Sequence, residues 1–98
     1  MKVSVQAVNF NMHGDLVQFV EKKFNNLERY HDHLIGAEVF LKVQSTSEKE
    51  NKIADVKIKL PGNDIVVKKQ SKTFEEAVSL CADSIKRQLV KRKEKLRA

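Results

Sequence analysis

The sequence predicts an α+β two-layer sandwich with element order β-α-β-β-β-α, a four-stranded sheet carrying two helices on one face. Three observations lead there. Four short segments alternate polar and apolar residues with period 2, two longer segments repeat apolar residues every three or four positions, and every strand has one apolar side. A sheet of that kind buries one face and leaves the other wet, which puts both helices on the same side. The chain has 98 residues and 41% hydrophobic content. A chain of that length buries roughly 60–65% of the surface its unfolded form exposes, enough for a single core. We therefore expect one domain over residues 1–98.

The elements follow in order. Val3, Val5 and Ala7 alternate with Lys2, Ser4 and Gln6 over residues 2–8, a half-buried strand. From Asp15 to Tyr30 the apolar residues Leu16, Val17, Phe19, Val20, Phe24, Leu27 and Tyr30 recur at helical spacing. That is an amphipathic helix of about four turns, with Asn11 or His13 available as its cap. Ala37, Val39, Leu41 and Val43 form a second strand after Gly36, and the polar run 45–51 reads as a turn. Ala54, Val56, Ile58 and Leu60 face inward on a third strand, with Lys57 and Lys59 outward. Pro61-Gly62-Asn63-Asp64 then turns the chain into a fourth strand with Ile65 and Val67 inward, making a hairpin. Thr73-Phe74-Glu75-Glu76 has the form of a capping box, and Phe74, Ala77, Val78, Cys81, Ile85 and Leu89 follow as one stripe of a long helix. The first β-α-β unit calls for a right-handed crossover and a parallel pair, after which antiparallel strands can follow.

The charge is unevenly placed. Nineteen Lys and Arg face thirteen Asp and Glu, a net charge of +6. Residues 1–85 hold twelve of each sign and sum to zero, so residues 86–98 carry 7 − 1 = +6. One or two cations would complement the dipole at a helix C-terminus. Seven in thirteen residues exceed that need, and self-repulsion of this kind points to a polyanionic partner. Phosphate backbone is the first candidate and an acidic membrane surface the second. On the helical wheel Arg92 and Leu96 continue the core-facing stripe, while Lys86, Arg87, Lys91, Lys93 and Lys95 spread around the rest, so the last two turns run past the core. On the first helix Lys23 falls inside the apolar arc between Phe19, Leu27 and Tyr30, where a lysine stem runs along apolar surface and snorkels.

Other chemistry finds little support. The longest apolar stretches are far short of the ~20 residues a membrane span requires. The N-terminus has no apolar run of the kind that marks export. A single cysteine forms no intrachain disulfide and suits a reducing compartment, so a cytoplasmic location is expected. Cys81 lies on the apolar stripe of the last helix, where a thiol behaves as a small hydrophobe. His31 and His33 lack the further ligands of a metal site. The carboxylates are dispersed and no glycine-rich phosphate loop is present. We expect no enzyme activity, no metal, no cofactor and no small-molecule substrate. Phe40 and Val66 fall on the open face of the sheet, where isolated apolar residues are common; stacking on nucleic-acid bases is the alternative.

Two segments resemble a known family. Phe19-Val20-Glu21-Lys22-Lys23-Phe24-Asn25-Asn26-Leu27-Glu28-Arg29-Tyr30 is similar to the first helix of bacterial ribosome hibernation-promoting factors, and Phe40-Leu41-Lys42-Val43 to their second strand. The run Ile85-Lys86-Arg87-Gln88-Leu89-Val90-Lys91-Arg92-Lys93-Glu94-Lys95-Leu96 resembles their second helix, with cations around an Arg-Gln-Leu core. The resemblance spans essentially the whole chain. It implies a domain related in shape to double-stranded RNA-binding domains. It also implies binding to the small ribosomal subunit and its 16S rRNA, in the channel of messenger and transfer RNA, with translation silenced in stationary phase or stress. By the same resemblance Lys22, Lys23, Lys86, Arg87, Lys91, Arg92, Lys93 and Lys95 are the expected rRNA-binding residues, as phosphate contacts. For Lys23 this favours projection from a basic surface over plain snorkelling. Ser84 stands where the pattern usually has a cation, and Lys72-Thr73-Phe74 replaces a frequent acidic residue and Tyr. The likeness is to the short form, without a C-terminal dimerisation domain, and a monomer off the ribosome is expected. A protein-interaction regulator, such as a modulator of a sigma factor, is the alternative function from another class.

Overall fold

In the computed structural model the elements are β1 (Lys2–Val8), α1 (Gly14–Asn25), a 3₁₀ turn (Asn26–Tyr30), β2 (Gly36–Val43), β3 (Lys52–Lys59), β4 (Ile65–Ser71) and α2 (Phe74–Arg97). The structure describes residues 1–8, 10–44 and 50–97, and for 93–97 the backbone alone. The four strands lie in the order β1-β2-β3-β4. β1 and β2 are parallel, and the two later pairs are antiparallel. The α+β sandwich expected from the patterning is the observed one, with α1 as the crossover between the parallel strands.

Register decides which side chains meet. Val3 pairs with Ala37, Val5 with Val39 and Ala7 with Leu41; Val39 then faces Val56, and Val56 faces Val67. These positions form the inner face, against which Val20 and Phe24 of α1 and Ala77, Val78, Cys81, Ile85 and Leu89 of α2 are fully buried. The apolar stripe read from the sequence of α2 is therefore the core contact. Val3 and Val5 on the edge strand β1 are only partly buried. Gly36 begins β2 opposite Lys2, and a Cβ there would sit 3.1 Å from the Lys2 carbonyl oxygen, so the parallel pair closes tightly on a residue without a side chain.

Two local expectations change, and a third, the cap of the first helix, is met in position but not by a side-chain bond. The helix expected to reach Tyr30 is α-helical only to Asn25, and its last five residues tighten to 3₁₀. Asn25 and Asn26 are weak helix formers. At three residues per turn Leu27 and Tyr30 eclipse, so Leu27 stays in the core while Tyr30 remains half-buried beside it. The cap of α1 is His13, with no side-chain hydrogen bond; its backbone carbonyl instead accepts from the N–H groups of Leu16 and Val17. Strands β3 and β4 extend beyond their apolar alternation, to Lys52 and Ser71, because Lys52 pairs with Ser71 and Ile53 with Gln70. The polar turn after β2 lies mostly outside the described residues, but its base is closed by Gln44 N–H donating to Asn51 carbonyl at 2.8 Å.

The start of α2 and the β3–β4 turn are fixed by side chains. Thr73 Oγ1 accepts from the Glu76 N–H at 3.1 Å, the capping contact expected of that motif. Replacing Thr73 by alanine should cost about 1 kcal/mol, read as a lower urea midpoint with unchanged slope. In the turn Gly62 adopts φ +92, a conformation a side chain disfavours. Asp64 Oδ1 accepts from the Leu60 N–H, and its other oxygen pairs with Lys57 at 3.6 Å.

Candidate nucleic-acid interface

Helix length sets how far the cations of α2 extend. Twenty-four residues of α2 span about 36 Å at 1.5 Å per residue, whereas strands of seven or eight residues span about 25 Å. Among the described residues the last buried side chain of α2 is Leu89, and the helix continues past it to Arg97. Its outer side carries Lys86, Arg87 and Lys91, all exposed. Together with Ser84, Gln88 and Val90 they line a shallow, open depression on α2. On α1 Lys22 and Lys23 are exposed and border a second depression with Phe19 and Asn26.

Two of these ammonium groups stand over aromatic rings. Lys86 Nζ lies 5.0 Å from the centroid of Tyr30, tying α2 to the 3₁₀ turn, and Lys23 Nζ lies 5.7 Å from that of Phe19. Such contacts contribute about 0.5–1 kcal/mol each at exposed sites and narrow the positions a flexible lysine samples. Lys23, read from the wheel as sitting within the apolar arc, thus has an exposed side chain whose charge rests on Phe19 instead of being drawn into the core. The partnership of Lys86 with Tyr30 had no signal in the sequence, since the two residues are 56 positions apart.

Arg92 is placed differently from its neighbours. Its guanidinium donates a hydrogen bond of 2.7 Å to the carbonyl oxygen of Asn63, in the β3–β4 turn. The cation that ends the core-facing stripe of α2 therefore joins the overhanging helix to the hairpin, with one donor of its fork engaged and the side chain half-exposed. The side chains of Lys93 and Lys95 lie outside the described residues.

Other candidate chemistry gathers no site. Cys81 is fully buried, and its thiol donates to the Ala54 carbonyl at 3.5 Å. Burial pushes its pKa from 9.0 up to about 11, against the opposing pull of a backbone hydrogen bond and positive charge at Lys69. A thiol so placed stays protonated at neutral pH and is a packing residue. His31 and His33 meet edge to face, and the His33 N–H donates to His31 Nδ1. Among the described residues no three His, Cys, Asp or Glu side chains form a group that could hold a metal, and no helix is long and apolar enough to cross a membrane.

The chain is similar to known proteins over nearly its whole length. Residues 3–97 match the family described as Sigma 54 modulation protein / S30EA ribosomal protein. The ribosome hibernation promoting factor of Escherichia coli (strain K12) is 30% identical over 97 residues, covering 99% of this chain and 98% of that protein. That of Azotobacter vinelandii is 27% identical over 95 residues, covering 97% and 85%. The ribosome hibernation promotion factor of Bacillus subtilis (strain 168) is 28% identical over 98 residues, and the match spans 98% of this chain but 50% of that longer protein. Among solved structures, a ribosomal subunit interface protein from Coxiella burnetii superposes with a TM-score of 0.83 at 22% identity, covering 96% of this chain and 99% of that one. The N-terminal domain of Thermus thermophilus Protein Y gives 0.79 at 24% identity, covering 93% and 98%. Both share the fold.

Proposed function

The chain belongs to the Sigma 54 modulation protein / S30EA ribosomal protein family, its role is ribosome-associated and lies in hibernation, and from that premise we propose that it binds the small ribosomal subunit through its helical layer. Occupying the channel of messenger and transfer RNA, it silences translation by occlusion. The observation that carries this reading is the run of exposed cations Lys86, Arg87 and Lys91 on a helix that outreaches its own sheet, with Lys22 and Lys23 exposed on the neighbouring helix. Their role is phosphate contact with 16S rRNA. Phosphate neutralisation with counterion release supplies affinity without sequence readout, which suits a protein that must hold a shaped RNA surface. Lys93 and Lys95 extend the same run in sequence, and Arg92 adds charge while anchoring the helix to the turn at Asn63. The acting unit is the single domain, and the mechanism requires no chemical step.

Co-sedimentation with separated ribosomal subunits tests the reading. Saturable binding to the small subunit, with little to the large one, and loss of that binding when messenger and transfer RNA are preloaded is the expected result. Equal binding to both subunits, or binding indifferent to preloaded RNA, would refute occlusion. A protein that stays at the top of the gradient, yet is captured by a sigma factor, would favour the regulatory alternative.

A further inference from the structure

Charge summed along the chain hides a second basic surface. Residues 1–85 are neutral in total, but register separates the signs in space. The face of the sheet opposite the helices carries Lys2, Ser4, Gln6 and Val8 from β1, Glu38, Phe40 and Lys42 from β2, Ile53, Asp55, Lys57 and Lys59 from β3, and Val66, Lys68 and Gln70 from β4. Five lysines there face two carboxylates, 5 − 2 = +3. Lys59 pairs with Glu38 at 3.0 Å, and Lys57 with Asp64 of the adjacent turn. Lys2, Lys42 and Lys68 are exposed and have no ion pair among the described residues, leaving them against Asp55 alone.

The centre of this face is aromatic. Phe40 lies between Gln6 and Asp55 in register, 37% exposed although it stands on an interior strand. Val66, 66% exposed, is a further apolar residue open on this side. Lys42 is two residues along the same strand, about 6.7 Å away, and Lys68 is two strands across, about 9.6 Å. An aromatic ring with Lys42 and Lys68 at those backbone spacings, Lys68 lying directly opposite Asp55 in register, can stack a base while its flanking phosphates meet lysine. The Asp55 carboxylate beside the ring would repel a phosphate, but it can accept a hydrogen bond from an exocyclic amine such as cytosine N4.

We infer that the open sheet face is a second RNA-binding surface, for single-stranded RNA, with Phe40 as the stacking platform, Lys42 and Lys68 as phosphate contacts and Asp55 as acceptor for a base amine. It works apart from the helical layer, so the domain has basic surfaces on both sides of the sandwich and can lie between two RNA segments at once. An acidic peptide would meet the same lysines but its carboxylates offer no planar base to the ring and no exocyclic amine to Asp55, which is why RNA is the better fit.

Amide NMR titration of the full chain with a ten-nucleotide oligocytidylate tests this. Shifts concentrated on residues 38–42, 53–57 and 66–70, persisting in the Arg87→Ala/Lys91→Ala chain, are expected. Phe40→Leu, which keeps an apolar strand residue but removes the ring, should weaken binding about tenfold. Lys42→Gln/Lys68→Gln should lower the logarithmic salt slope by about 1.4. Shifts confined to α1 and α2, or unchanged affinity in Phe40→Leu, overturn the inference; ten-residue oligoglutamate binding this face as tightly as the RNA overturns it in favour of an acidic protein segment. None of these outcomes depends on whether intact ribosomes are bound, so the sheet surface and the helical one stand or fall separately.

Discussion

Replacing Arg87 and Lys91 with alanine is expected to weaken ribosome binding roughly sixtyfold at 0.1 M salt while leaving the fold intact. The magnitude follows from counterion release: each neutralised phosphate contributes a slope of about −0.9 in log affinity against log salt, or about eightfold at 0.1 M relative to 1 M. With about six contacts the unaltered chain should lose about a thousandfold in affinity between 50 and 200 mM salt. The double variant should lose about 1.8 from its slope. Both side chains are exposed and take no part in the buried stripe of α2, so thermal unfolding should move little. Arg92 is best kept out of this variant, because its alanine replacement also removes the hydrogen bond to Asn63 and confounds charge with anchoring. Sedimentation at several salt concentrations measures both slopes. An affinity nearly independent of salt, or a slope unaltered in the variant, would show that phosphate contacts at these residues do not govern binding.

Phe24→Ala should do the opposite, removing stability without touching a cation. Phe24 is 0% exposed and is among the largest fully buried side chains, wedged where α1 meets the rest of the core. Deleting a buried phenyl ring costs about 3–5 kcal/mol. Small domains have only about 5–15 kcal/mol in total, and each kcal/mol corresponds to roughly 4–8 °C in a domain of this size. A fall of about 15–30 °C in the melting temperature is expected by circular dichroism. Val66→Ala, on the open sheet face, serves as control and should cost less than about 1 kcal/mol. If Phe24→Ala melts within a few degrees of the unaltered chain, the placement of α1 against the sheet is wrong. The pair of predictions also separates two ways of losing ribosome binding: one through the interface with the fold retained, the other through the fold itself.

Hydrophobic periodicity by itself determined the element order, the shared side of the helices and most of the core. Val39, Val56, Ile58, Val78, Cys81, Ile85 and Leu89 were all legible as inward from spacing, and all are buried. Periodicity works because a strand or helix must present its apolar side chains in one direction whatever it packs against. The cationic end of α2 was equally legible, since seven cations in thirteen residues need no fold to be counted.

What depends on residues distant in sequence was decided by tertiary structure. The end of β4 through Lys68, Lys69 and Gln70 has no apolar alternation and is a strand because β3 pairs with it. Tyr30 met Lys86, and Arg92 met Asn63, only when α2 was laid across the sheet. The 3₁₀ end of the first helix arose where weak helix formers had to keep Leu27 in the core. Charge segregation is the clearest case. A sum along residues 1–85 is zero in any conformation, whereas the strand register places Lys2, Lys42, Lys57, Lys59 and Lys68 on one surface with only two acids among them. Local pattern is a property of one element and survives in isolation; the sign of a surface belongs to several elements at once, and exists only after they pair.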